Sequence, residues 1–322
     1  MRYNPGRYGG HPATAELTLI FGFGQPRDGM DIGISKRMKR MNRGVLCLAA
    51  GALVALIANP SVATAQPAGN DAAVAFDGAM ILIPGGSFVM GDDQGDPNET
   101  PKAARVGAFL LMPVEVTNRR FAGFVAATGH RTDAERSGGG YVWDRTWRRI
   151  PGADWRHPNG IGTSIDGKSD HPVVQVSARD AAAFCSWLGL RLPSETEWEF
   201  AARGAEGGRY PWGMSPPGAQ TERRANFGTV KCCAPDAADG YWRTAPVGEF
   251  SLGASPFGIL DMAGNVWEWT SSRFPGRPRL VVLRGGGWGN DPYGLRAAYR
   301  HGNPPDIGLD MVGFRCAGDP KP

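Results

Sequence analysis

Histidine is scarce in this 322-residue chain, five in all. No pair of them stands at metal-ligand spacing and no Ser/His/Asp arrangement accompanies them, which sets aside the familiar zinc and acyl-transfer signatures. Sustained basic runs are also missing, so nothing recruits phosphates in the way a nucleic-acid partner requires. The glycines of RGGGWG (284–289) are not followed by Lys-Ser or Lys-Thr and do not form a phosphate loop. There is no periodic repeat and no clear linker. The one long apolar run, Gly44–Ala58, falls short of the ~20 residues that cross a bilayer, so no stable membrane span is expected.

That run has a different meaning. Lys36, Arg37, Lys39, Arg40 and Arg43 precede it and the small residues Ser61 to Ala65 follow it, the pattern of a secretory signal peptide cleaved after Ala65. A membrane anchor is the alternative. Residues 1–37 resemble neither a domain nor a leader, and Met38 or Met41 would give a signal of ordinary length. Residues 1–65 are therefore expected to be a mis-set start plus a cleaved signal peptide, 66–75 a short polar stretch, and 76–322 one domain. The expected destination is outside the cytoplasm, in the bacterial periplasm. Residues 1–65 hold eight Lys/Arg against three Asp/Glu, so the formal charge of +4 becomes −1 for the remainder.

Four cysteines remain: Cys185, Cys232, Cys233 and Cys316. An oxidising compartment permits disulfides, and four cysteines allow three complete pairings. A bridge between the neighbours Cys232 and Cys233 would restrain little chain; a vicinal disulfide, free or intermolecular thiols, and redox or soft-metal chemistry are all open to that pair.

What the sequence has in abundance is 47 glycines and 26 prolines. Such a chain must fix irregular backbone at roughly 1–2 kcal/mol of conformational entropy per residue, so tryptophans, side-chain-to-backbone bonds, disulfides or metals must compensate. MILIPGGSFVMG (80–91) reads as strand, turn and strand. Thr117 caps a helix with Phe121, Phe124 and Val125 on one face, ending at Gly129. Ser177 with Asp180 starts a second, through Ala181, Phe184, Cys185 and Leu188 to Gly189. Ser194 with Glu197 forms a capping box for a third, with Trp198 and Ala201 inward and Gly204 past its end.

An ordered series of motifs carries a family resemblance: IPGGSFVMG (83–91), PVEVTNRRFAGFV (113–125), HPVVQVSARDAAAFCSWLGLRLPSETEWEFAARG (171–204), YPWG (210–213), TAPVGEF (244–250), GNVWEW (264–269), RGGGW (284–288) and GFR (313–315). From near Phe76 to Asp319 the chain resembles the formylglycine-generating enzyme, or sulfatase-modifying factor, family. The resemblance implies an α+β fold related to C-type lectin-like domains, with little regular secondary structure. It implies a Cys185–Cys316 disulfide, against the alternative of two buried free thiols. It implies structural calcium at two places: Asn226 and Asp239 with carbonyls of Phe227 and Tyr241, and Asp261 and Glu268 with carbonyls of Gly264 and Val266. Turn formation and backbone capping are the alternatives for these residues.

The family's oxidases carry two cysteines, one shortly after the RGGSW-like segment and one five positions later, that bind monovalent copper. Here Asn290 and Leu295 stand at those positions and Gly287 replaces a serine; neither Asn nor Leu supplies a soft thiolate, so copper is not expected at the usual site. The segment retains Trp288, Asn290, Asp291, Arg296, Tyr299, Arg300 and His301 as pocket candidates for an anionic or aromatic small molecule or a peptide. Arg296 and Arg300 have a structural alternative, paired with acids. The expected function is an exported sulfatase-modifying-factor-like protein, an atypical oxidoreductase or tailoring factor for a small molecule or peptide. Its first alternative is a noncatalytic, calcium-stabilised module that contacts another exported protein. Formylglycine generation from a sulfatase cysteine ranks below both.

Overall fold

The computed structural model describes residues 80–218, 222–230 and 232–321; the proposed signal peptide and the stretch 66–75 lie outside them. Short elements are held in a large amount of irregular chain. Strand β1 (Ile81–Ile83) and β2 (Gly86–Met90) flank the Pro84-Gly85 turn, but they do not pair with each other. β1 runs antiparallel to β4 (Phe109–Leu111), whereas β2 runs antiparallel to β3 (Lys102–Val106). The turn therefore hands the chain from one sheet to another rather than closing a hairpin.

Helix α1 (Asn118–Thr128) starts where the Thr117 side chain accepts from Arg120 N–H and stops at Gly129, whose left-handed backbone returns its N–H to Val125. A short helix, α2 (Asp133–Ser137), carries a capping box at Thr132 and Glu135 that sequence reading missed. The hairpin of β5 (Gly139–Asp144) and β6 (Thr146–Pro151) follows. Helices α3 (Ala178–Trp187) and α4 (Glu195–Arg203) begin at the expected capping boxes, Ser177/Asp180 and Ser194/Glu197, because one side-chain acceptor and one returning carboxylate satisfy otherwise orphaned N–H groups.

The largest sheet is β10 (Val312–Gly313), β7 (Trp267–Phe274), β8 (Arg277–Arg284) and β9 (Arg300–Asn303), in that order, with β10 parallel to β7 and the other pairs antiparallel. Strand β11 (Ala317–Gly318) adds to the other edge of β4. One core gathers Ile83, Phe88, Phe109, Leu111, Trp198, Phe200 and Met262. A set of rings, Phe121, Phe124, Phe184, Phe314 and Trp155, packs α1 against α3 and the chain after β10. Cys185 on α3 is bonded to Cys316, which ties the same helix to the last strands.

Buried ion pairs pin the loops. Arg315 gives two bonds to Glu268, at 2.8 and 2.7 Å, and reaches the carbonyls of Met112 and Leu260; Trp198 Nε1 donates to the same carboxylate at 2.9 Å. Two guanidiniums, Arg284 and Arg203, share Glu199. These contacts supply what the glycine-rich backbone lacks, since hydrogen bonds to charged groups contribute about 1.5–3 kcal/mol each.

Candidate functional site

Strand β8 ends in Arg284 and leads into the buried segment Gly285 to Asn290. Asn290 is buried and fully engaged by its surroundings: its Oδ1 accepts from Trp267 Nε1 at 2.9 Å and from Gly287 N–H at 3.1 Å, and its carbonyl accepts from Gly228 N–H. Leu295 has no exposed surface and packs with Tyr210, Ala225 and Ala263. The two positions thus hold an internal hydrogen-bond hub and an apolar plug. Neither offers a ligand to copper, and a monovalent copper ion does not fit this donor set.

The remaining candidates are placed as follows. Arg296 is buried and makes a bidentate pair with Glu99, at 2.7 and 3.0 Å, with a third bond to Asp92 at 3.0 Å; the Tyr293 ring lies 4.0 Å from its guanidinium carbon. Arg300 pairs with Glu195 at 2.6 Å and donates to the Asn98 carbonyl. Both arginines hold chain segments together. Burial raises the Tyr299 phenol, with help from Asp96 and Glu99, so it stays protonated. His301 is half-buried against Trp267. Asp291 Oδ1 accepts from Gly294 N–H. Trp288 is buried and donates Nε1 to the Asp310 carbonyl.

The outer face of Trp288 leads to residues that sequence reading did not single out. Arg243 lies over its ring, 4.6 Å from the centroid. The Arg243 guanidinium donates to Asp310 Oδ2 and to the Trp143 carbonyl. Asp310 is buried; its Oδ2 also accepts from Trp143 N–H, while its Oδ1 has no partner. Burial pushes its carboxyl up to about 6 despite the opposing pull of Arg243. Arg243 and Asp310, with Asn118 and Lys168, line a cavity of about 230 Å³. No spacing rule joins Arg243 to Asp310; sixty-seven residues separate them.

The neighbouring cysteines are bonded to each other. Cys233 is fully buried, and its backbone lies on Gly289: a Cβ there would stand 2.9 Å from the Cys233 carbonyl carbon and oxygen. The chain at Cys233 therefore reaches the segment that bears Trp288, and only a residue without a side chain allows the approach.

At the first expected calcium place, Asp239 accepts the N–H groups of Phe227 and Tyr241 at 2.8 and 2.9 Å, and Asn226 Nδ2 donates to the Arg243 carbonyl. Both carboxylate oxygens act as a turn brace. At the second, Glu115 is buried in hydrogen-bond contact with Asp261, which also accepts from Gly248 N–H at 2.6 Å. Burial, and then mutual repulsion with Asp261, pushes the Glu115 carboxyl well up. Glu115, Asp261 and Glu268 share the field of one cation, Arg315. Among the described residues no three His, Cys, Asp or Glu side chains form a ready metal cage. The three carboxyls, completed by backbone carbonyls, are an all-oxygen set of the type a hard cation takes.

Residues 67–320 match the sulfatase-modifying factor enzyme 1-like domain. The chain is similar to the formylglycine-generating enzyme of Streptomyces coelicolor, 38% identical over 307 residues, covering 82% of this chain and 96% of that one. It is also similar to the inactive C-alpha-formylglycine-generating enzyme 2 of Mus musculus, 39% identical over 280 residues, covering 77% and 89%. Among solved structures it is similar to PvdO from Pseudomonas aeruginosa, with a TM-score of 0.59 and 26% identity over 75% of this chain and 94% of that one.

Proposed function

The chain belongs to the sulfatase-modifying factor enzyme 1-like family, and from that premise we propose that it is an exported tailoring protein, an atypical oxidoreductase that binds a small molecule or peptide beside Trp288 and acts without the two-thiol copper centre. The observation that carries this reading is the burial of Asn290 and Leu295: one is committed to Trp267 and Gly287, the other to an apolar cluster. Function resides in a site and not in a fold, and the site of this chain differs from the family's oxidases at the two reacting positions. The Arg243–Asp310 cavity supplies charge and a titratable acid next to that segment, with Arg243 lying over the buried Trp288 ring.

Calcium belongs to the same proposal as a structural ion. Asp261, Glu115 and Glu268, with carbonyls of Gly264 and Val266, would hold it, and its charge would relieve the crowding of carboxylates around Arg315. It takes no part in turnover.

A second reading, a noncatalytic binding or accessory module, is favoured by one finding: a relative 39% identical over most of its length is named inactive. The two readings separate in one experiment. Protein isolated from the exported fraction is examined by native mass spectrometry and then incubated aerobically with the material it retains. A retained small molecule or peptide that changes mass supports tailoring; a co-purifying protein without any conversion supports the module. In parallel, a cysteine-containing sulfatase peptide with monovalent copper and oxygen should stay unmodified. Formation of formylglycine there would defeat both.

A further inference from the structure

We propose that the cavity beside Trp288 is an anchoring site for the carboxylate of a small organic ligand, with Arg243 and Lys168 as its cationic arms and Asp310 as an internal competitor. It rests on the preceding reading only in taking a ligand to bind next to the segment that bears Trp288; the reaction plays no part in it.

Arg243 and Lys168 face one carboxylate, Asp310, across a cavity of about 230 Å³, which leaves a single net positive charge when Asp310 is ionised. A monoanion balances that charge, whereas a phosphate dianion would leave one negative charge uncompensated in a partly enclosed space, which is costly. Arg243 is suited to a planar carboxylate because its guanidinium is fixed on two sides, by stacking on Trp288 and by donation to the Trp143 carbonyl. Asn118 fixes the other wall: its Nδ2 donates to the Lys168 carbonyl and its backbone N–H to the His171 carbonyl, so the start of α1 holds the loop that carries the ammonium.

The body of the ligand is organic. Pro172 and Val174 contribute apolar wall. Ile165 adds a further apolar side chain to the lining, so a ring or an alkyl chain finds cover beside the charged groups.

Asp310 makes the site respond to pH. Its Oδ2 holds Arg243 and its Oδ1 has no donor, so protonation, at about 6, releases the guanidinium to an incoming anion. The other charged or titratable groups nearby are accounted for. Lys168 lies on the rim. His171 is bonded through Nδ1 to Thr244, and burial, then Lys168, holds its imidazole below the usual range. Arg119 and Asp170 pair with each other at the surface.

Benzoate binding by titration calorimetry tests the site on the purified exported chain, with benzyl alcohol as the neutral control. Benzoate, ionised throughout, is expected to bind saturably and about tenfold more tightly at pH 5 than at pH 8, the effect of one charge-assisted contact, while benzyl alcohol does not bind. The surface substitution Lys168→Gln should weaken benzoate roughly threefold at both pH values, and Arg243→Gln about tenfold. Asp310→Asn should bind at pH 8 as the parent does at pH 5. Absence of saturable benzoate binding, or binding unchanged by both Lys168→Gln and Arg243→Gln, would overturn the site; parent binding that does not vary with pH would remove Asp310 from it. Benzoate binding by a protein that converts nothing leaves the site standing and ends the tailoring reading, and conversion without benzoate binding does the reverse.

Discussion

Glu199 accepts from Gly91 N–H and Arg203 on one oxygen and from Arg284 on the other, with none of its surface exposed. A carboxylate so placed is stable only while its cations are present, and they only while it is. Glu199→Gln is therefore expected to lower unfolding free energy by about 3–5 kcal/mol, read from the urea midpoint. Arg119→Gln, which breaks the surface pair with Asp170, should change it by less than about 1 kcal/mol. The same logic explains what was legible at this scale. Arg296 and Arg300 admitted two roles in the sequence, because a residue type announces charge and not partner. Glu99 lies 197 positions from Arg296, and no local pattern reports such a distance. Asn290 and Leu295 were readable as replacements, but the Trp267 indole that occupies Asn290 was not. Asp310 was invisible for a related reason: in LDMVGF nothing distinguishes a buried acid from a turn residue.

Elements with local causes were the readable ones. Thr117, Ser177 and Ser194 cap α1, α3 and α4 as expected, since a capping box spans four residues and needs no knowledge of the fold. Ser177→Ala should cost about 1 kcal/mol, and more than a bare cap because Ser177 Oγ also donates to Asp133 at 2.6 Å; thermal unfolding with Asp133→Asn as partner in a double-mutant cycle would expose the excess. Strand pairing was not readable. Ile81–Ile83 and Gly86–Met90 were recognisable as strands, but their partners depend on which surfaces the core leaves open, and they part into different sheets. The Cys185–Cys316 bond joins elements 131 residues apart and was legible only through the family resemblance. Replacing both cysteines by serine should remove about 4–5 kcal/mol on the loop-entropy account, a fall of roughly 10 °C or more in Tm for a domain of this size, with the helix content in circular dichroism retained below the transition.

At the scale of the whole molecule, the composition required something besides a regular core to hold irregular chain, and the structure answers with buried guanidiniums, indoles and a disulfide. One account remains open at Glu115, Asp261 and Glu268, where three buried carboxyls meet the single charge of Arg315. Without a further cation, Glu115 and Asp261 are held up the pH scale, chiefly by burial. A raised carboxyl keeps its proton in the folded state when the unfolded chain has lost it, so stability falls as pH rises through and above the ordinary carboxylate range. Calcium would reverse this, since it binds the ionised form. The expected outcome is a Tm in EDTA that drops between pH 5 and pH 8, and a Tm in calcium that does not. At a hundredfold excess over the dissociation constant the ion should add about 2.7 kcal/mol. Asp261→Asn should abolish the calcium increment while Asp239→Asn, whose carboxylate already braces two N–H groups, should lower Tm equally with and without calcium. An increment that survives Asp261→Asn and vanishes with Asp239→Asn would move the ion to the Asn226 loop; no increment at either pH would remove calcium from the proposal and leave Glu115 and Asp261 as a neutral, proton-holding pair.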